Sequence, residues 1–330
     1  MADRLYTSAE HGQLHDSATV YKGFDRIAML EYANAGEQMV GEELYGPDDL
    51  GTEGLHNEVF FRTRLQGQAM KTDDRVRQRF PKADYKTGSI LIHGYSRLGI
   101  ADEYYPEDME DFLPGFEFIA NLAADLPILL RDAEEDEYLN LYNNGETIAG
   151  GHADTPLFVD GSTHKLELIG NPTFFAGTAA SNIMDNAGGV SYSLIALLRQ
   201  YGRNFVNEEG RSNPVQMDQI VCNQQNGDLL ELYFSATTNI EQTNPQVSNP
   251  EAGKNTPRIL RTERLSNPND LIIFYTGWQD QIKERSKYRN RTDSWEEGKA
   301  QFRKVYTQVR SRYGFYFYGN RLVVLVRGAN

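Results

Sequence analysis

The chain has 330 residues, 39% of them hydrophobic, with 29 glycines and 12 prolines. That is enough apolar content for a sizeable core in one large domain or two smaller ones, and it excludes a fibrous or fully disordered chain. The formal net charge of −14 argues against sequence-independent nucleic-acid binding by the surface as a whole, because such affinity comes from neutralised phosphates, but it leaves room for a local basic face.

The N-terminus, Met1–Glu10, is polar and has no basic patch followed by an apolar stretch. No run approaches the roughly 18 apolar residues of a bilayer span, so a soluble protein made in a cytoplasm is expected. Residues 1–87 scatter Gly36, Gly41, Gly46, Gly51, Gly54 and Gly67 among charged residues, with short β-like pieces such as Val59-Phe60-Phe61. A stretch with so little core of its own is expected to take its order from a partner. Residues 88–100 read as a strand, in which the lone His93 is a packed or exposed histidine rather than a ligand.

The clearest helix is expected over 108–143. Phe112, Phe116, Ile119, Ala123, Leu126, Leu130 and Ala133 recur at spacings of four and three, which puts them on one stripe. Asp108, Glu110 and Asp111 suit its first turn, Pro127 should kink it, and Asn144-Gly145 supplies a stop. About 30 residues at ~1.5 Å each make a rod of roughly 45 Å. A second helix is expected over 186–202, capped by Asp185, with Val190, Leu194, Leu197 and Tyr201 as its buried stripe. Next come a strand near 218–222, a short helix near 227–235, and an Asn/Pro-rich loop over 239–257. Strands near 258–263 and 271–276 follow, then a basic, weakly patterned segment over 280–300. Tyr313–Tyr318 and Leu322–Val326 flank Gly319-Asn320, the signal of a terminal hairpin. The fold class is therefore mixed α+β with one dominant long helix.

Charge comes in blocks. Residues 1–61 are acidic, and residues 100–137 carry thirteen acids against one base, Arg131. Residues 62–86 carry eight bases (Arg62, Arg64, Lys71, Arg75, Arg77, Arg79, Lys82 and Lys86) against three acids. Residues 283–312 carry ten bases against four acids. Such runs are either solvated faces of a monomer or complementary patches between copies, which fix register more than affinity.

Chemistry-bearing motifs are sparse. There is no phosphate-binding glycine loop and no nucleophile elbow. The single cysteine, Cys222, sits in an apolar run and reads as a small buried hydrophobe. His152, Asp154, Asp185 and Glu208 resemble the ligand pattern of two-zinc aminopeptidases. That chemistry needs a later histidine, and none follows His164. Neither a catalytic residue, a metal nor a cofactor is expected.

The order of elements carries a resemblance. The long helix ends in LYNNGETIAGGHADTPLFVDGSTHK and is followed by NIMDNAGGVSYSLIALLRQYGR and NPVQMDQIVCNQQNGDLLELYFSA. TTNIEQTNPQVSNPEAG, PRILRTERLSNPNDLIIFYTG and YTQVRSRYGFYFYGNRLVVLVRG complete the series. Over residues 88–328 this resembles the major capsid proteins of tailed bacteriophages with the Hong Kong 97-like fold, in the branch of Mu-like heads. No single motif is diagnostic; order and spacing carry the likeness.

The resemblance implies an N-terminal arm over 1–34, an extended β-hairpin loop over 35–87 and a peripheral domain over 88–190 built on the spine helix. A mostly axial domain over 191–312 and the β-hairpin over 313–330 complete it. It implies hexamers and pentamers in an icosahedral shell around double-stranded DNA held without sequence specificity. The subunit would be made in the bacterial host cytoplasm and reside in the virion, away from any membrane. A separate scaffolding protein, a portal and a cement or decoration protein are the implied partners. Arg62, Arg64, Arg75, Arg77, Arg79, Lys82 and Lys86 are the implied contacts with the next subunit. Some members crosslink lysine to asparagine, for which Lys71, Lys82 and Lys86 lie in the right region. The 239–257 loop is implied near the hexamer centre. The competing readings are the hydrolase and another head protein, a portal or decoration protein.

Overall fold

In a computed structural model of the chain the longest element is a helix, α1, Gly115–Asn143. The structure describes residues 26–34, 39–48, 58–62, 87–91, 93–104, 115–148, 156–160, 167–168, 171–172, 181–186, 188–205, 212–242, 247–297, 304–317 and 319–328. The strands before α1 are β1 (Gly46–Pro47), β2 (Glu58–Arg62), β3 (Thr87–Leu91) and β4 (His93–Tyr104). After it come β5 (Glu167–Leu168), β6 (Asn171–Pro172), β7 (Ile183–Asp185), α2 (Tyr192–Arg203), β8 (Met217–Cys222) and α3 (Gln224–Ser235). The chain continues with β9 (Arg258–Arg261), β10 (Leu271–Tyr275), β11 (Ile282–Glu297), β12 (Lys304–Phe317) and β13 (Val323–Arg327). It forms two units: unit 1 from Met1–Glu42, Tyr95–Tyr138 and Arg285–Gly314, unit 2 from Glu43–Gly94, Leu139–Glu284 and Phe315–Asn330. Each draws on three separate stretches of the chain.

In unit 1, β11, β12 and β4 lie side by side in that order. The alternation of β12 explains its place. Thr307, Val309, Ser311 and Tyr313 are buried, while Tyr306, Gln308, Arg310 and Arg312 are half-buried, the period-two pattern of a strand with one covered face. Helix α1 supplies the cover. Ala123, Leu126 and Leu130 pack with Val309 and Ala28, joined by Ile27, Tyr32, Leu98 and Ile100. Farther along, Tyr138 stacks on Tyr313 at 5.2 Å between ring centroids. Residues 26–34 are helical and bury Ala28 completely, so this part of the expected arm has core of its own.

The expected stripe of α1 holds at Ala123, Leu126 and Leu130 but not at Ala133, which is exposed. Spacings of four and three average 3.5 residues, whereas a straight helix turns every 3.6, so the stripe drifts backward. Burial passes instead to Glu134, Glu135 and Tyr138. The backbone positions of Phe116 and Ile119 lie on α1; their side chains, and Phe112 with the expected first turn, lie outside the described residues. Pro127 lies inside the helix without ending it.

Unit 2 is built on a five-stranded sheet in the order β7-β13-β10-β8-β9. β10 is antiparallel to both β13 and β8, and the outer strands β7 and β9 are parallel to their neighbours. β1 pairs in parallel with the start of β11, Gly46 with Lys283 and Pro47 with Glu284. β2 and β3 form a separate antiparallel ribbon from Glu58–Leu91 to Arg62–Thr87. All five residues of β10 are buried, as are the first four of β13.

Several expectations change here. Helix α2 starts at Tyr192, and its cap is Ser191, whose Oγ accepts from Leu194 N at 3.2 Å. Asp185 ends β7 instead. The α2 stripe is Leu194, Ile195, Leu198 and Gly202, with Leu197 56% exposed. A Cβ at Gly202 would sit 2.4 Å from the Val215 carbonyl oxygen, so the close approach of backbone there requires glycine. Residues 282–297, expected to be weakly patterned, form the 16-residue strand β11.

The terminal hairpin is not formed, because β12 and β13 lie in different sheets. The reason is Asn320. It is buried, and its side chain donates to Pro156 O at 3.1 Å. Asn182 Nδ2 lies 2.8 Å from Leu157 O, 2.8 Å from Asn320 O and 2.9 Å from Val323 O, while its Oδ1 accepts from Val159 N at 2.7 Å. The Gly-Asn pair thus serves a buried crossover whose carbonyls take side-chain amide donors.

Candidate assembly surfaces

Two stretches that sequence reasoning left loose are pinned by buried ionic groups. In unit 1 the anchor is on α1. Arg131 Nη1 reaches Glu42 Oε1 at 2.5 Å, Glu134 Oε2 at 3.1 Å and the Tyr32 hydroxyl at 3.1 Å, and that hydroxyl donates to Glu134. Burial opposes the Arg131 charge, but the bond to Glu42 and the fields of Tyr32 and Glu42 outweigh it and raise its pKa. One residue on, Glu135 accepts from Val40 N at 3.1 Å and Gly41 N at 2.8 Å. A Cβ at Gly41 would lie 2.6 Å from the Tyr138 Cβ, so the segment can approach α1 only as glycine. Sequence offered one signal: the sole base of the acidic block, Arg131, lies among carboxylates.

In unit 2 the Asn/Pro-rich loop is tied to α2 and α3. Asn249 Nδ2 donates to Tyr233 O at 2.8 Å and Ala236 O at 2.7 Å, and its Oδ1 accepts from Glu251 N at 2.7 Å. Glu251 is buried and takes Arg199 Nε at 2.6 Å and Lys254 Nζ at 2.7 Å. Glu241 accepts from Tyr192 N at 2.8 Å. Around these anchors Leu197 of α2, Leu229 and Leu232 of α3 and Ile240 of the loop are exposed. Apolar residues held outward on fixed elements suit contact with another chain.

Of the sequence-derived contact residues, Arg62 is the last residue of β2 and is described as backbone only. Arg64, Arg75, Arg77, Arg79, Lys82 and Lys86 lie outside the described residues, as do Lys71 and the constellation members His152, Asp154 and Glu208. Asp185 is described, and it faces Arg327 at 3.6 Å. Among the described residues no group of three or more His, Cys, Asp and Glu side chains could hold a metal ion. Nor is any helix there long and apolar enough to cross a membrane. Cys222 is fully buried, and that burial pushes its thiol up to about 12.

No protein-family model and no curated protein matches the chain. Among solved structures, a chain from Mycobacterium phage Patience is similar over 97% of this chain and 90% of its own, with a TM-score of 0.53 and 11% identity. The fold is that of Hong Kong 97-like capsid subunits. That match takes in residues of both units and is a likeness of fold. The capsid structure of the cyanophage P-SCSP1u covers 87% of each chain at TM-score 0.49 and 8% identity. The virus-like particle from Pyrococcus furiosus covers 93% of this chain and 99% of its own at TM-score 0.46 and 15% identity.

Proposed function

We propose that the chain is the major capsid protein of a tailed bacteriophage, in the branch of Mu-like heads. It would assemble as hexamers and pentamers into an icosahedral shell around double-stranded DNA, as a structural protein and not an enzyme. The likeness of fold over 97% of the chain carries this reading. The antiparallel β2–β3 ribbon supports residues 35–87 as an extended hairpin loop, because it joins the two ends of the basic stretch 63–86. The exposed leucines of α2 and α3 support 191–312 as the mostly axial domain that meets its copies. Residues 1–34 would be the arm and 88–190 the peripheral domain. A separate scaffolding protein, a portal and a cement or decoration protein would complete the virion.

The test is assembly. The full chain, expressed with and without the scaffolding protein of its own phage, is sedimented and imaged by negative-stain microscopy. Closed shells of uniform size are expected. A folded monomer that stays monomeric at every concentration and salt, with or without scaffold, removes the proposal. Reversal of Arg75, Arg77 and Arg79 to glutamate should stop shell formation and leave soluble subunits; normal shells from that variant would take the basic loop out of the interface.

A further inference from the structure

The sheet of unit 1 has two faces of opposite character. Leu98, Ile100 and Val309 pack toward α1, so the intervening positions point the other way. A Cβ at Gly99 would lie 3.1 Å from the Arg310 Cβ, which places these neighbours on the same outward face. Asp293 of β11 joins them: it pairs with Arg310, lies 3.5 Å from Gln308 Nε2 and lies 3.4 Å from Arg291 Nε. Arg312 of β12 and Arg285 of β11 share that parity. On β11 the odd positions Arg285 and Arg291 precede Asp293. Glu103 of β4 is the other described acid of this face. The opposite side of the unit is acidic, with Asp125 and Asp136 exposed and Asp132 and Glu137 half-buried on α1, away from the sheet.

We infer that the outward sheet face carrying Arg285, Arg291, Arg310 and Arg312 binds the phosphate backbone of duplex DNA. This rests on the capsid reading and names the surface of the subunit that meets the packaged genome. The net charge of −14 does not forbid it. At physiological salt fields fade over about 8 Å, so a duplex on the sheet responds to the local face rather than to acids across the unit. Alternate residues of a strand stand about 6.7 Å apart, and a duplex presents a charge every ~1.7 Å of its axis, so one row of arginines meets several phosphates. A second copy offering its acidic helix is a poorer occupant. There Asp125 and Asp136 flank exposed Ile128 and Leu129, which require an apolar partner that the arginine face does not supply.

The test uses the full-length unassembled subunit and a fluorescent 30-base-pair duplex of arbitrary sequence, titrated between 50 and 200 mM salt. The native chain should lose about 100-fold in affinity across that range, the loss expected for about four neutralised phosphates. Arg291→Glu with Arg312→Glu should bind at least about tenfold more weakly at 50 mM, with the salt slope reduced by about two. Asp125→Asn with Asp136→Asn on the helix side should leave the slope unchanged. If the glutamate pair does not fold, as judged by circular dichroism, Arg291→Gln with Arg312→Gln replaces it, with the same change in slope expected. Unchanged duplex binding in the folded variant overturns the inference, whether or not shells form. A variant that keeps duplex binding but no longer builds shells also overturns it and assigns the face to a neighbouring copy. Failure of the native chain to assemble strikes the capsid reading instead, and is read separately by microscopy.

Discussion

In unit 2 the central strands read LIIFY and VVLVR, and β10 is buried along its whole length. In unit 1 the corresponding work falls to β12, which buries Thr307, Val309, Ser311 and Tyr313 beneath α1 and turns Gln308, Arg310 and Arg312 outward. The first sheet coheres through continuous apolar runs covered on both faces. The second coheres through small or aromatic residues under one helix, with Tyr32 and residues 40–42 fastened to that helix by Arg131, Glu134 and Glu135. The contrast teaches that a strand is advertised by its apolar content only where both faces are covered. A one-sided strand with threonine and serine inward reads as loop.

The contrast can be broken by mutation, and the largest effect is expected in unit 2. Ile273 is fully buried at the centre of β10; Ile273→Ala should cost about 4 kcal/mol in denaturant unfolding of the subunit. A loss below about 1 kcal/mol would mean that the sheet is not the core that it is taken to be. Arg131→Met in unit 1 should cost about 3 kcal/mol, because Glu134 is left buried without its cation. The loss should be nearly the same at 0.05 and 0.5 M salt, since buried pairs are little screened. A loss that vanishes in high salt would recast the anchor as a surface pair.

A smaller effect, about 2 kcal/mol, is expected for Asn182→Leu. It takes the Asn182 amide away from the buried carbonyls of Leu157, Asn320 and Val323. Unchanged stability would show that the crossover at Asn320 is not held by its amide neighbours. The smallest is a pH effect at Asp270. Burial raises its pKa above 3.8, against the pull of Gly328 N and Arg327. A carboxyl with a raised folded pKa favours the folded state while protonated. Its contribution is therefore present at acid pH and is lost as pH climbs from 3.8 through the raised value. Asp270→Asn should flatten the stability profile in that window; an unaltered profile would remove the assignment.

The same contrast decides what was legible. α1, α2 and α3 announced themselves by periodicity, β10 and β13 by unbroken apolar runs, and β8 by the shorter Ile220-Val221-Cys222. β11 did not, because IKERSKYRNRTDSWEE holds few apolar residues and its order comes from neighbouring strands. The terminal hairpin does not form because Gly319-Asn320 is a turn signal only while Asn320 is exposed; partners more than a hundred residues away put it inside. Leu197 and Ala133 fell out of their stripes because a stripe fitted over a few turns does not fix which flank of a helix meets its sheet. Of the candidate surfaces, the basic block of 283–312 was visible as charge. The meeting of Arg291 and Arg310 at Asp293 required knowing that β11 and β12 are neighbouring strands. The ionic anchors of 39–42 and 247–255 join positions distant in sequence, through Arg131 and Glu135 in one case and Arg199 in the other, and apart from Arg131 as the sole base of its acidic block they left no local pattern.

Cryo-electron microscopy of particles assembled from the full chain tests the central claim most directly. The account predicts a closed icosahedral lattice of hexamers and pentamers into whose density this subunit fits with its α1 and its β7-β13-β10-β8-β9 sheet. A twelve-fold ring, an open aggregate or a persistent monomer would contradict it.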